Sequence, residues 1–328
     1  MPTSTKVKRA ESSKRVGSKQ QAHSAKDTPW KLRSANGLQV LQSPNLSRLD
    51  WLVHGFSTRP GGASEMQAVA PGRKPAERVL NLGFTDWDSR EHVLANREKF
   101  FRAVGASKAR PITLRQIHSD LACGVSSSMQ SATAEEPAKA DALFTREPGV
   151  LLIVQTADCV PILLADTKQR AVAAIHSGWR GTVQRIAQKT LGRMQMEFGT
   201  RPRDVVAAIG PCIAQSCYEV GSDVTKQFHA QFANAREWFD GPFDALASGE
   251  NDPNWLPWLT MRPPGHPPPP PTVQLDLVAA NRAILVEAGI PAANISASGF
   301  CTACRLDLFF SYRRERTTGR MMAAIAIR

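Results

Sequence analysis

Apolar positions along this chain fall in short blocks separated by polar and glycine-rich joints, a spacing that predicts many strands and fewer helices. WLVHGFSTRPGG, from Trp51, reads as a strand running into a Gly/Pro turn at 60–62. Further blocks predict strands at 112–114, 141–145, 150–155, 160–165, 171–175, 205–209, 295–298 and 321–327. Four segments keep a helical period instead. Asp88-Ser-Arg-Glu91 has cap spacing and opens a helix through Val93, Leu94, Phe101 and Val104. After HSGWRGT, Val183, Ile186, Ala187, Leu191 and Met194 predict a second. Two more fit 220–232 and 276–288, the latter stopped by Gly289 and Pro291. Strands outnumber helices and only some alternate with them. The expected fold is α+β: a layered single domain with a mixed β-sheet and flanking helices.

Two stretches carry neither period. Residues 1–36 read as a basic disordered tail, Ser/Lys-rich and too poor in apolar side chains to fold. A folded domain over 37–328 follows, interrupted at about 240–272 by a Pro-rich insertion with five consecutive prolines at 267–271. Polyproline cannot join a sheet ladder, so a surface loop is expected there.

Composition changes this picture little. The net charge is +12, but residues 1–33 hold nine Lys or Arg against Glu11 and Asp27, so most of the excess lies in the tail. Without interleaved aromatics, nucleic acid is expected to make no more than weak contacts to that tail. The tail's Ser-rich, acid-poor composition also fits a transit peptide. No apolar run approaches the roughly 20 residues that span a bilayer, and the N-terminus lacks an apolar signal core. A cytoplasmic protein without membrane contact is expected, its six cysteines thiols or ligands instead of disulfides.

Candidate chemistry sits at strand ends. His118 lies just beyond the ITL strand, Cys159 lies between two apolar runs in TADCVPILL, and His176 ends AVAAI. Two imidazoles and a thiolate form a good Zn²⁺ set with a fourth position open to water or substrate. The same residues also fit a metal-free Cys–His nucleophilic pair. Asp158 beside the cysteine is a candidate base or supporting carboxylate. In HSGWRGT, Gly178 and Gly181 permit tight backbone, Thr182 caps a helix, and Arg180 adds a cation, a corner suited to phosphate. Trp179 either walls a base or packs beneath the helix. Cys301-x-x-Cys304 has half-zinc spacing with no second pair following it, and both read as packed or semi-exposed thiols. His54 reads as a structural histidine.

The motifs assemble in a recognisable order: STRPGGAS at 57–64, LNLG at 80–83, NR at 96–97, RQIHSD at 115–120 and ADALFT at 140–145. TADCVPILL, HSGWRGT, IGPCI with YEVG, FFSYRRE and TTGR continue it. From about residue 50 onward the chain resembles the laccase-domain family, also called YfiH-type or polyphenol-oxidase-like proteins. The resemblance implies Zn²⁺ on His118, Cys159 and His176. It also implies a purine nucleoside phosphorylase using adenosine, inosine, guanosine or methylthioadenosine, with adenosine deaminase activity. Purine nucleosides and phosphate are then the expected partners. Asp158, Cys159 and Arg180 are the catalytic candidates, and Arg59, Asn81, Gln116 and Arg313 the substrate-binding ones. Asp158 and Glu219 are the carboxylates available for deamination, since the H-x-E and P-C-x-x-C signature of zinc deaminases is absent. The chain departs from the family in Ser177, where alanine is usual, in extra cysteines at 212, 217 and 304, and in the tail and insertion.

Two other activities use the same residues. A Cys159–His176 hydrolase would cut amide bonds, as in cell-wall precursors. A polyphenol oxidoreductase would need copper in place of zinc, which Cu²⁺ achieves at equal availability. Seven histidines, several far from the motifs, supply one metal and not a multicopper cluster.

Overall fold

The structure, a computed structural model, describes residues 30–66, 77–126, 137–248 and 272–328. Two six-stranded sheets form its centre. The first runs in the order Lys31–Ala35, Leu38–Gln42, Leu52–Ser57, Met321–Ile327, Val150–Thr156, Arg110–Ile112. The second runs Ile295–Ala297, Val205–Ile209, Val160–Asp166, Ala171–Ser177, Ala142–Thr145, Ala122–Gly124. Both are mixed: each is mainly antiparallel, with parallel pairs at Arg110–Ile112 and at both edges of the second sheet.

The sheets pack face to face. Leu52, Phe56, Leu152, Val154 and Ile325 of the first meet Leu143, Leu163, Val172, Ala174 and Ala208 of the second in one buried cluster. The outer face of the first sheet, with Leu151, Ile153, Met322 and Ala324, is covered by helix Arg90–Val104. The outer face of the second, with Phe144, Ile162, Leu164 and Ile175, is covered by Ile186–Phe198, Ser222–Gln231 and Leu277–Glu287. The fold is therefore α+β, as its pattern predicts, but with two central sheets in four layers. Strands buried on both faces need apolar residues at every position, which is why MMAAIAI reads as an unbroken run.

Several boundaries differ from the sequence reading. The folded chain starts before residue 37: Lys31–Ala35 pairs with Leu38–Gln42 across Asn36-Gly37. Both turn residues have positive φ, 51° and 73°, the geometry for which Asn-Gly is favoured in two-residue hairpins. Residues 60–62 do not turn but begin strand Pro60–Met66, paired with Glu77–Val79. The first helix is capped by Ser89, whose hydroxyl accepts from His92 N. Asp88 instead accepts from Ser64 Oγ and Asn81 Nδ2. The helix expected after HSGWRGT is two, Trp179–Val183 and Ile186–Phe198, broken where Arg185 takes φ 60°. Thr182 lies inside the first and bonds back to Gly178 O instead of capping. The insertion begins as structure, with Phe239–Asp240 in a strand and Phe243–Ser248 helical over a buried Phe243. Its residues 249–271, the five prolines among them, lie outside the described residues, as do residues 1–29. No helix of the described residues is long and apolar enough to cross a membrane.

His54 joins the layers, as a structural histidine should. Its Nε2 accepts from Ser43 N at 3.0 Å, and Ser43 Oγ bonds Ser296 Oγ of the other sheet at 2.9 Å. Burial pushes its pKa down to about 4. The unfolded chain binds this proton near pH 6.5, so the stabilisation is complete above that pH and is lost as pH falls toward 4. The shift corresponds to about 3 kcal/mol, which should appear as a lower urea midpoint at about pH 4.5 than at about pH 7. His54→Gln should flatten that difference; an unchanged pH slope in this variant would assign the effect to other groups.

Candidate metal centre

The antiparallel pairing of Val160–Asp166 with Ala171–Ser177 sets His176 opposite Pro161 and so beside Cys159, which immediately precedes the first strand. His118 arrives from the segment after Leu114 with φ 59°, and Asp158 has φ 94°. Such left-handed backbone in residues other than glycine collects at functional sites. One ligand atom each from His118, Cys159 and His176 lies within 4.8 Å of the others. Cys159 Sγ stands 4.0 Å from His118 Nε2, and the imidazoles meet edge-on with centroids 4.9 Å apart.

The side chain organising this cluster is Asp141, which sequence reasoning left inside ADALFT without a role. It is fully buried. Its Oδ1 accepts from His118 N at 3.0 Å and bonds His176 Nδ1 at 2.8 Å. Its Oδ2 accepts from Ile117 N, Ser119 N and Ser119 Oγ. The carboxylate thus fixes the His118 loop and engages His176 Nδ1, leaving Nε2 for a metal, a common support for ligating histidine.

Electrostatics favour an ionised cluster. Burial opposes the charge on Asp141, but hydrogen bonds from His176 and Ser119 outweigh it and hold the carboxyl at about 2. Burial likewise opposes the Cys159 thiolate, yet the His176 imidazolium and hydrogen bonds from both histidines bring it down to about 6. Burial disfavours charge on His176, which Cys159 and Asp141 overcome, lifting it to about 9. A thiolate is therefore ready at neutral pH.

Gly178 closes the wall. A Cβ there would sit 3.1 Å from both Cys159 Sγ and His118 Cδ2, while its backbone, φ −76°, suits any residue. Gly178→Ala should therefore fold normally and bind metal on the order of tenfold more weakly, by displacing ligands as a lost supporting contact does. Competition with a chromophoric chelator measures this, and wild-type affinity would show that the ligands yield freely. Ser177, the departure from the usual alanine, bonds Asn281 Oδ1 at 2.8 Å and Thr182 Oγ1 at 3.0 Å, pinning the start of the short helix.

The three donors open on a cleft of about 600 Å³ lined by Gln116, Gln155, Thr156, Tyr312 and Arg320, among others. Gln116, expected to meet substrate, does line it, though both amide ends also bond the Gln155 backbone, at 2.7 and 2.8 Å. Arg320 and Tyr312 lie in the TTGR and FFSYRRE motifs, where sequence alone does not mark them, because an isolated Arg or Tyr usually has a structural explanation. A second group surrounds Tyr218: Cys159, Asp158, Arg180 and Arg313 all act on its phenol, which burial pushes well above its ordinary value. Arg313 lies over that ring at 5.0 Å. Arg180 is exposed and stacks over Trp179 at 4.2 Å, and Trp179 packs half-buried against the helical core.

Other candidates have structural tasks. Arg59 is buried and ion-paired with Glu315 at 2.8 Å, beneath Phe310 and away from the cleft lining. Asn81 is fully buried, with Nδ2 donating to Gly83 O, Thr85 Oγ1 and Asp88 Oδ2, and Oδ1 accepting from Arg320 N. It reaches the cleft only by holding the Arg320 backbone. Asp158 accepts from Thr302 Oγ1 at 2.7 Å and Arg313 N at 2.6 Å, tying two loops to the corner. Glu219 is exposed, and its carbonyl accepts from Arg313 Nη1.

Donor chemistry and surroundings fit one metal ion: a thiolate, two imidazoles, one of them bonded to a carboxylate, and a glycine where a methyl would crowd them. Among the described residues this is the one ligand group that contains histidine.

A purine nucleoside phosphorylase of Deinococcus radiodurans is 36% identical over 297 residues, covering 90% of this chain and 95% of its own. Adenosine deaminase RL5, from an unknown prokaryotic organism, is 37% identical over 266 residues, covering 80% and 88%. The crystal structure of the Bacillus licheniformis hypothetical protein YfiH matches with TM-score 0.72 at 28% identity, covering 92% of this chain and 99% of that one. Residues 53–328 match the family described as multi-copper polyphenol oxidoreductase laccase, and the chain belongs to that laccase-like, YfiH-type family.

Proposed function

We propose that the protein is a zinc-dependent purine nucleoside phosphorylase acting on adenosine, inosine, guanosine or methylthioadenosine, with copper able to substitute in the site. The observation that carries this reading is the convergence of His118, Cys159 and His176 on a cleft that also presents Arg320. A cleft of this size suits a nucleoside and phosphate together. Zn²⁺ held by the three residues would act as a Lewis acid toward a polar substrate atom.

In the reaction a phosphate oxygen bonds to C1′ as the C1′–N9 bond breaks, and its electron pair leaves with the purine, which is then protonated. Positive charge grows on the ribose and negative charge on the base. Arg320, with Arg180 and Arg313 near Tyr218, offers cations for the phosphate. Gln116, Gln155 and Thr156 offer hydrogen bonds to ribose hydroxyls, and the exposed Tyr312 ring a face for the base. Asp158 acts by positioning, since it holds the loops bearing Thr302 and Arg313.

Adenosine deamination is a second reading, supported by the relative named for that activity. The thiolate–imidazolium pair of Cys159 and His176 supports a hydrolase of amide bonds. Incubating metal-characterised protein with inosine, with and without phosphate, separates these readings. Hypoxanthine and ribose 1-phosphate formed only with phosphate, and lost on chelation, is the expected result. Conversion of adenosine to inosine alone would favour the deaminase. Amide hydrolysis indifferent to chelator would favour the Cys–His enzyme, and phenol oxidation after copper loading the oxidoreductase.

A further inference from the structure

Three other cysteines converge away from the cleft. Cys217 ends the turn Gln215–Cys217, while Cys301 and Cys304 follow strand Ile295–Ala297. Beyond the pairing of Val205–Ile209 with that strand, Cys212 and Cys301 form an isolated parallel bridge, and Thr302 N donates to Cys212 O. This brings the Cys301-x-x-Cys304 pair against Cys217. The three Sγ atoms lie within 4.8 Å of one another, Cys217 and Cys304 only 3.3 Å apart. Ala214 N donates to Cys301 Sγ at 3.3 Å, and Arg314 Nη2 to Cys217 Sγ at 3.6 Å. Sulfur accepting from an amide and a guanidinium suits thiolates better than thiols.

We propose that Cys217, Cys301 and Cys304 form a second metal site, for a thiophilic divalent cation of the zinc class, separate from the His118–Cys159–His176 centre. The donor type excludes magnesium and calcium, which take oxygen ligands. Binding replaces three S–H bonds with three metal–sulfur bonds and releases three protons. Three thiolates around a dication leave one negative charge, and Arg314 on Cys217 offsets it. Cys304 is exposed and the other two half-buried, so the ion has an open route and a fourth position facing water. A Cys217–Cys304 disulfide would leave Cys301 without a partner and would require an oxidant. The half-zinc spacing that lacks a second pair in sequence thus finds its third ligand across a bridge between distant segments. Thr302 and the Arg313 backbone both bond Asp158, so an ion here would also brace the loops behind Cys159.

The test is anaerobic titration of the reduced, metal-stripped full chain with Co²⁺, following the near-ultraviolet thiolate charge-transfer band. Two equivalents are expected in the wild type, one of them giving roughly three times the thiolate absorbance of the other, in proportion to its sulfur ligands. Cys304→Ser and Cys217→Ser should each lose the thiolate-rich equivalent and keep the other. Cys159→Ala should do the reverse. A wild type that takes up one equivalent and leaves the Cys217, Cys301 and Cys304 thiols free, or a Cys304→Ser protein that still binds two, would overturn the proposal. So would a Cys217–Cys304 disulfide that persists in the reduced chain. None of these readings depends on nucleoside turnover, so failure of the phosphorylase reading leaves this result intact.

Discussion

Cys159→Ala and His176→Ala should each lose the metal of the His118 cluster together with inosine phosphorolysis, while unfolding in a single cooperative transition. A three-ligand site deprived of one ligand keeps two, and its affinity should fall by more than the roughly 100-fold that loss of a supporting contact costs. Cys159 sits at a strand end, half-buried, where alanine leaves the ladder between Val160–Asp166 and Ala171–Ser177 intact. His176 is more deeply set, 4% exposed, and its removal leaves Asp141 with one fewer donor, so some loss of stability should accompany the loss of metal. His118 calls for a different variant. Its φ of 59° favours asparagine over alanine, because asparagine tolerates the left-handed region. His118→Asn therefore separates ligand loss from backbone strain. Metal analysis, thermal unfolding and chromatographic detection of hypoxanthine read the three effects apart. Full turnover in metal-free Cys159→Ala would defeat the phosphorylase mechanism outright, whereas chelator-insensitive amide hydrolysis that disappears in the same variant would transfer the site to the hydrolase.

Cys159 and His176 were legible as site candidates because their strand ends were legible, whereas His118 lies in the loop beyond strand Arg110–Ile112, which stops short of the 112–114 expected. AVAAI and CVPILL are apolar at every position, so a histidine or cysteine at their limits has no place in the core pattern. That two sheets would form was not legible, since a strand buried on both faces reads alike in a sheet covered by helices or by another sheet. Arg59 and Asn81 illustrate a second limit. Each lies in a family motif, and each proves to be buried by a partner far along the chain, Glu315 for Arg59 and the Arg320 backbone for Asn81. Motif membership marks a residue that matters without saying whether it touches substrate. Asn36-Gly37 was a missed signal of another kind, a hairpin turn hidden at the end of a basic stretch whose composition argued for disorder. Asp141 was missed because its five hydrogen bonds reach Ile117, His118, Ser119 and His176, none of them its sequence neighbours.

Asp141→Asn should fold and yet bind metal about 10- to 100-fold more weakly, whereas Asp141→Ala should in addition lose about 3–5 kcal/mol of stability. All the groups around this carboxylate are donors: three backbone N–H groups, the Ser119 hydroxyl and His176 Nδ1. An amide keeps one acceptor oxygen and turns a donor toward the others. If its nitrogen faces His176, Nδ1 must accept, which moves the imidazole proton to Nε2, the atom that faces the cluster. The ring stays in place with the wrong nitrogen protonated. Alanine has a harsher effect, leaving three part-buried N–H groups on the His118 loop without their acceptor and freeing the loop to leave the site. Three measurements separate these outcomes: chelator competition for metal, urea denaturation for stability, and kcat against KM for inosine. Asp141→Asn should lower kcat at limiting metal and recover most of it at saturating metal, because the ligands remain. Recovery in Asp141→Ala should be poor, since His118 is no longer held. Equal metal affinity in wild type and Asp141→Asn would show that His176 takes its tautomer from another group, and the carboxylate would then serve the fold alone.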